Sequence, residues 1–219
     1  MIDFSLLARF YPALLYGAWV SLQIAFFSCS IGLIFGTLLG IASCVRNRLL
    51  ANVVLFYTTI VRGIPMLAQI MFVAYVLPET GIDLPLFWGA VIAIGLNSSA
   101  YVCHIIRSGI LAVDSGQVEA ARVLGLSNSQ VMRFVILPQA FRMVLPALGN
   151  EFVTLVKDSS LASTVGVVEL TKTGSTIRSL TFDVVTVFTA VGCLYLAMTL
   201  TLSALISWIE RRMSRHAVS

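Results

Sequence analysis

Three ionisable side chains, Glu151, Lys157 and Asp158, interrupt an otherwise apolar stretch from about Met143 to Val168. On a helix Glu151 and Asp158 lie seven apart and share a face, with Thr154 between them, while Asn150 and Lys157 form a neighbouring stripe. Lys157 and Asp158 are adjacent in sequence and cannot face one another on a regular helix. A second polar row, Asn97, Tyr101, His104 and Ser108, is spaced four, three and four apart, again one helical face. Carboxylates such as Glu151 and Asp158 suit an ammonium or a cationic side chain; Asn97, Tyr101 and helix ends suit a carboxylate. The two rows therefore carry the chemistry to hold a small zwitterion. Two acids and no obviously free intramembrane base lean toward a basic or neutral polar one.

The elements that must position these rows are membrane spans. The chain has 219 residues, 58% of them hydrophobic and only 11% charged. Soluble domains carry about 25% charge, and this chain could not cover a soluble surface. It is too apolar for intrinsic disorder. Its basic residues are dispersed, which argues against a nucleic-acid footprint. At bilayer depth each charged side chain costs about 2.5–3.5 kcal/mol, so Glu151, Lys157 and Asp158 must lie near an end, pair, or face a wet cavity. The Glu151/Thr154/Asp158 face is read as a cavity wall. Lys157 at an outer helix end would be purely structural. His104 stands between a satisfied interior histidine and a ligand-facing one.

Five spans follow, at about Tyr16–Cys44, Asn52–Leu77, Leu86–Ile106, Met143–Val168 and Val184–Ile209, in a single domain over residues 1–219. In the first, Gly32, Gly36 and Gly40 recur every four residues, with Ser28 one step earlier, and should admit a closely packed helix. In the second, Arg62-Gly63-Ile64-Pro65 should kink or break the helix. Glu169 to Asp183 reads as a polar connection with a short helix at most. Nine basic residues (Arg46, Arg48, Arg107, Arg122, Arg133, Arg142, Arg211, Arg212 and Arg215) fall on one side against Arg9, Lys172 and Arg178 on the other. The positive-inside rule then puts the Ser108–Arg142 loop and the C-terminus in the cytoplasm and the N-terminus outside.

Within that loop, Glu119 to Leu124 should form a short helix ended by Gly125, which can take a positive φ. Ser127 should cap a second helix, with Gln130 completing a capping box. The segment of about 114–138 is either a docking knob or an amphipathic connector lying on the membrane.

Glu119-Ala120-Ala121, three residues, Gly125, then ten residues to Leu137-Pro138 resembles the EAA motif of ABC-importer permeases, with Val135 in place of the usual Ile. Arg62-Gly63-Ile64-Pro65, Asn97-Ser98-Ser99-Ala100-Tyr101, Ile106-Arg107-Ser108-Gly109, Leu148-Gly149-Asn150-Glu151 and Lys157-Asp158-Ser159-Ser160-Leu161 are similar to the polar amino acid permeases of that group, the histidine, glutamine, glutamate/aspartate and arginine systems. The likeness covers about residues 12–213. His104 departs from it, since many relatives have Glu there. The resemblance implies an all-α, five-span, type I importer permease with cytoplasmic coupling helices in a bacterial inner membrane. It also implies alternating access and coupling to a separate ATPase through Glu119, Ala120, Ala121 and Gly125. The expected partners are that ATPase, which holds ATP and Mg, a periplasmic or lipid-anchored amino-acid-binding protein, and a second permease, identical or similar. Substrate contacts are expected from Asn97, Tyr101, His104, Glu151, Thr154 and Asp158.

Rival readings are a permease of the same superfamily for methionine, phosphonate or osmolytes, an ATP-independent channel, or an intramembrane enzyme. No catalytic pair, metal-ligand spacing or nucleic-acid signature is found. Gly166 to Thr173 misses a phosphate-binding loop because Thr171 stands where Gly must sit. No ATPase, metal or cofactor is therefore expected in the chain itself, and it is not read as an enzyme. Cys29, Cys44, Cys103 and Cys193 read as buried inert thiols. Ile41-Ala42-Ser43-Cys44 lacks the basic leader of a lipoprotein cleavage box.

Overall fold

A computed structural model describes residues 2–45 and 47–215, with the side chains of 213–215 left undescribed. Arg46, counted among the basic residues above, lies outside the described residues. All regular structure among the described residues is helical.

Helix α1 spans Phe4–Ala42. It starts earlier than the sequence suggested because the Asp3 carboxylate accepts from the Ser5 and Leu6 amides, capping a helix upstream of the expected span. Its 39 residues reach about 58 Å, well beyond a hydrocarbon core of about 30 Å. Four small residues at helical spacing seat it on α4, which spans Leu86–Leu111. The Ser28 hydroxyl donates to Val91 O at 3.0 Å. A Cβ on Gly32 would come within 2.6 Å of Ser98, one on Gly36 within 2.7 Å of the Ser99 carbonyl, and one on Gly40 within 2.8 Å of Ile106. The expected stripe is therefore a close helix–helix seam.

Helix α2 (Arg48–Gly63) is amphipathic and capped by Asn47, whose side chain accepts from Leu49 and Leu50. It stops where Pro65 removes an amide donor, and α3 (Met66–Met71) leaves at 97° to it. The break expected at Arg62–Pro65 is thus present. Gln69 Nε2 clasps it, donating to Val61 O at 2.6 Å and to Ile64 O at 2.9 Å, two carbonyls near the end of the first arm. A π-turn (Phe72–Val76) and Gly81, at φ +88°, lead into α4. Among the described residues, four helices are long and apolar enough to cross a membrane; the bent pair, counted as one crossing, makes five.

The segment after α4 folds as two short helices, α5 (Ser115–Val123) and α6 (Asn128–Val131). A π-turn (Met132–Ile136) joins α6 directly to α7 (Leu137–Asp158). The fourth apolar helix therefore begins before Met143. Pro138 sits in its first turn, where no intrahelical amide is required, so the chain continues through it. The α-helix ends at Asp158; a 3-10 stretch (Ser159–Val165) and Gly166, at φ +99°, close it.

The polar connection of residues 169–183 holds a full helix, α8 (Leu170–Thr181), followed by α9 (Val184–Arg215). Leu170 and Ile177 of α8 pack with Leu14 of α1 and Val187 and Val191 of α9. Glu169, fully buried, anchors α8. Its carboxylate accepts from the Thr171 and Lys172 amides, from Ser21 Oγ at 3.1 Å and from Tyr195 OH at 2.7 Å. Four donors neutralise the cost of burying it. Of the cysteines, Cys103 is buried, Cys29 and Cys44 are half-buried and Cys193 is exposed on α9, so the expectation of four buried thiols is corrected. Cys193 lies toward the end of α9 that flanks the start of α1, in an apolar groove with Phe4 and Tyr11.

Candidate functional site

The break in α2 and the faces of α4 and α7 enclose one cavity of about 320 Å³. Asn97 and Tyr101 line it from α4; Glu151, Thr154 and Asp158 line it from α7. Five of the six expected substrate residues thus meet in one place. The seven-residue spacing that put Glu151 and Asp158 on one face is what aims both at it. Lys157 is exposed in the last turn of α7 and is not among the residues that line the cavity.

Local bonds fix the walls. Ser98 Oγ donates to Glu151 Oε1 at 2.7 Å, joining α4 to α7 and orienting the carboxylate. Asn97 is buried, and its amide reaches Val61 O at 3.5 Å, tying α4 to the end of α2. The Thr154 hydroxyl is satisfied by Asn150 O at 3.0 Å.

Sequence reasoning missed two participants. Arg62, in the last turn of α2, lines the same cavity, with its guanidinium 5.0 Å from the centre of the Tyr101 ring. A cation over an aromatic face is held electrostatically by the ring quadrupole. The lean toward a basic or neutral polar substrate rested on two acids and on no obviously free intramembrane base; Arg62 supplies such a base and removes the second reason. Its signal was a basic residue beside a Gly–Pro break in an apolar stretch, a place where interrupted helices form binding sites. Ser98 is the other, a small hydroxyl with no pattern of its own in sequence.

His104 is one turn further along α4 and does not line this cavity. It faces two neighbouring spaces. One, of about 480 Å³, is shared with Arg62, Tyr101 and Ser108; the other, of about 230 Å³, is shared with Thr58, Asn52 and Arg107.

At the far end of α4, the segment of residues 114–138 presents a compact elbow. Asp114 caps α5 by accepting from the Gly116 amide at 2.8 Å. Gly125 adopts φ +84°, as its place at the turn required. The Ser127/Gln130 capping box forms in both directions, Ser127 N to Gln130 Oε1 at 2.8 Å and Gln130 N to Ser127 Oγ at 3.4 Å. Glu119 and Ala120 are exposed, whereas Ala121 is buried within the elbow. Val123 and Leu124 are 88% and 79% exposed, an apolar pair held out from the turn.

Residues 32–215 match the family model of the binding-protein-dependent transport system inner membrane component. The glutamine transport system permease protein GlnP of Escherichia coli (strain K12) is 38% identical over 213 residues, covering 96% of this chain and 97% of that protein. The arginine transport system permease protein ArtQ of Bacillus subtilis (strain 168) is 35% identical over 216 residues, covering 98% and 99%. A crystal structure of an amino acid ABC transporter with histidines superposes with a TM-score of 0.92 at 37% identity over 97% of this chain and 99% of that one. The MetNI methionine ABC transporter in an inward-facing form shares the fold at a TM-score of 0.76 and 23% identity, covering 96% and 98%. A family match spanning almost all the helices, on a fold whose bent second element, elbow and polar cavity stand as described, makes the chain a member of the inner membrane components of binding-protein-dependent transport systems, a multi-pass permease subunit rather than an enzyme.

Proposed function

We propose that this permease translocates a polar amino acid through the cavity between the α2 break, α4 and α7. The observation that carries the reading is the placing of Arg62, Glu151 and Asp158 around one space of amino-acid size. Arg62, with five donors in a planar fork, takes the α-carboxylate; Glu151 and Asp158 take the ammonium. Asn97 and Tyr101 supply further polar contacts. The likeness to glutamine and arginine permeases supports an amino acid as the solute.

The elbow carries the coupling role. Glu119 and Ala120 present a polar edge, and the Val123/Leu124 pair a small apolar one, to a groove on a separate ATPase subunit that binds ATP and Mg. Basic residues along the elbow, Arg122 and Arg133, support a cytoplasmic elbow, with the N-terminus of α1 outside. A binding protein delivers the solute from the outer face, and a second permease, identical or similar, completes the pathway. ATP-driven closure of the motor rocks the bundle between outward- and inward-open forms.

Reconstitution of the permease with its ATPase and binding protein in proteoliposomes tests this. Uptake of a labelled amino acid should require ATP and should be lost in Glu151→Gln with the complex still assembled. Uptake without the ATPase would mark a channel. Full uptake in Glu151→Gln would remove the cavity from the pathway.

A further inference from the structure

The cavity does not end at Tyr101. Arg62 and Tyr101 line both the substrate cavity and the larger space beyond it, and His104 lines that second space and a third. The three spaces adjoin α4 between Asn97 and Arg107, about 15 Å along the helix; Asn97, Tyr101 and His104 share a face, and Arg107 lies about 60° round the helix from His104, on the side of α2. Their electrostatic character changes along the way. The two carboxylates, Glu151 and Asp158, belong to the first space alone. Beyond Tyr101, the charged or titratable residues lining the two later spaces, among the described residues, are Arg62, Tyr101, His104, Cys103 and Arg107, and no carboxylate lines either space. Arg107 is fixed there, its Nη1 donating to Ser43 O at 2.7 Å at the end of α1. Ser108, Asn52 and Thr58 add neutral polar groups.

From this we infer that Arg62, His104 and Arg107 form a graded basic path leading from the binding cavity toward the elbow end of the bundle, and that it selects amino acids whose side chain carries no positive charge. The inference rests on the substrate cavity proposed above and adds the class of solute that leaves it. A substrate carboxylate moves from Arg62 toward His104 and Arg107 with a favourable partner at each stage. A lysine- or arginine-like side chain meets only like charge or neutral groups there. His104 is the pivotal position, because it touches both later spaces and is the one whose replacement by a carboxylate would supply the missing partner for a cation.

The experiment measures equilibrium binding of radiolabelled glutamine, glutamate and lysine to the intact permease–ATPase complex in nanodiscs, with the binding protein left out so that its own selectivity does not enter. In the native complex glutamine or glutamate should bind at least about tenfold more tightly than lysine. His104→Glu should shift that ratio toward lysine by about tenfold or more, and His104→Gln, which removes the basic ring without adding a carboxylate, should shift it the same way by less. Ser108→Asp, at an exposed position on the same path, should shift the ratio in the same direction and serves if His104→Glu does not assemble. Equal binding of lysine and glutamine to the native complex, or an unchanged ratio in assembled His104→Glu and Ser108→Asp, overturns the basic path. Glu151→Gln separates the two readings: loss of binding of all three amino acids keeps the cavity even if the path fails, and unchanged binding of all three removes both.

Discussion

Ser98 Oγ lies 2.7 Å from Glu151 Oε1, so the helix that packs on the glycine seam of α1 also aims the carboxylate of the candidate binding cavity. A hydrogen bond from a neutral hydroxyl to a carboxylate contributes about 1.5–3 kcal/mol where it is shielded from water. Ser98→Ala should therefore raise the KM for uptake several-fold with little change in the amount of assembled complex. Uptake kinetics in proteoliposomes would read the difference, and an unaltered KM would show that Glu151 needs no such support.

The elbow predicts a separable defect. Glu119→Ala removes an exposed charge and leaves the α5 cap and the Gly125 turn intact. The complex should still assemble and bind solute, but substrate-dependent stimulation of ATP hydrolysis and uptake should both fall by tenfold or more. ATPase assays with and without binding protein decide it; normal coupling would reject the docking role.

The α1/α4 seam predicts where bulk is not tolerated. Gly36→Val places carbon against the Ser99 carbonyl and the Val102 side chain, and overpacking of this kind costs about 1–3 kcal/mol. Gly192→Ala, where a Cβ meets nothing within 4 Å, is the control and should be silent or slightly stabilising. Thermal unfolding of the detergent-solubilised complex should show a lowered midpoint for Gly36→Val only.

Glu169 predicts a structural loss of a different kind. Glu169→Ala leaves the Thr171 and Lys172 amides without their acceptor, at about 1–3 kcal/mol for a buried orphan, while Ser21 Oγ keeps Gly17 O and Tyr195 OH keeps Thr171 Oγ1. The midpoint should fall clearly, and the amides at the start of α8 should exchange with solvent faster. Protection unchanged at Thr171 and Lys172 would mean that the cap is dispensable.

The capping carboxylates at the other ends predict a pH response. The Ser5 hydroxyl, with the Leu6 and Ser5 amides, holds Asp3 below its ordinary value of 3.8; the Thr186 hydroxyl and amide do the same for Asp183. A carboxylate whose value is depressed by folding stabilises the fold above the ordinary value, and that contribution is lost as pH falls through the depressed one. Asp3 is exposed and Asp183 half-buried at a helix start, so the effect is local: below about pH 4 the first turns of α1 and α9 should fray. Hydrogen exchange at Leu6 and Thr186 as a function of pH would show it, and Asp183→Asn should remove most of the pH dependence at Thr186.

Much of this architecture was legible in residue order because its physics is local. The four-residue glycine period forces a close seam, the Gly63–Pro65 pair forces a break, and Ser127 with Gln130 writes its own cap. The shared face of Glu151, Thr154 and Asp158 follows from helical spacing alone. What was not legible depends on contacts far apart in the chain. Glu169 is buried only because Ser21 and Tyr195 arrive from other helices to receive it. Arg62 lines the cavity beside Ile64, Pro65 and Met66 of the bend, where residues of α4 and α7 arrive from far along the chain. The early start of α1 and the long entry to α7 follow from Asp3 and from the placement of Pro138 in a first turn, neither of which hydropathy records.

The unbroken run of helical turns from Asn128 to Asp158 has a mechanical result. Elbow and acids ride on a single shaft, from the capped turn at Ser127 to Glu151 and Asp158, about 35 Å from Asn128 to Glu151. The π-turn at Met132–Ile136 and the missing amide at Pro146 are the two places along it where the ladder departs from regular, and the helix runs on through both. Leverage is built into the chain order, and the length of that arm sets how far the carboxylates swing for a given stroke.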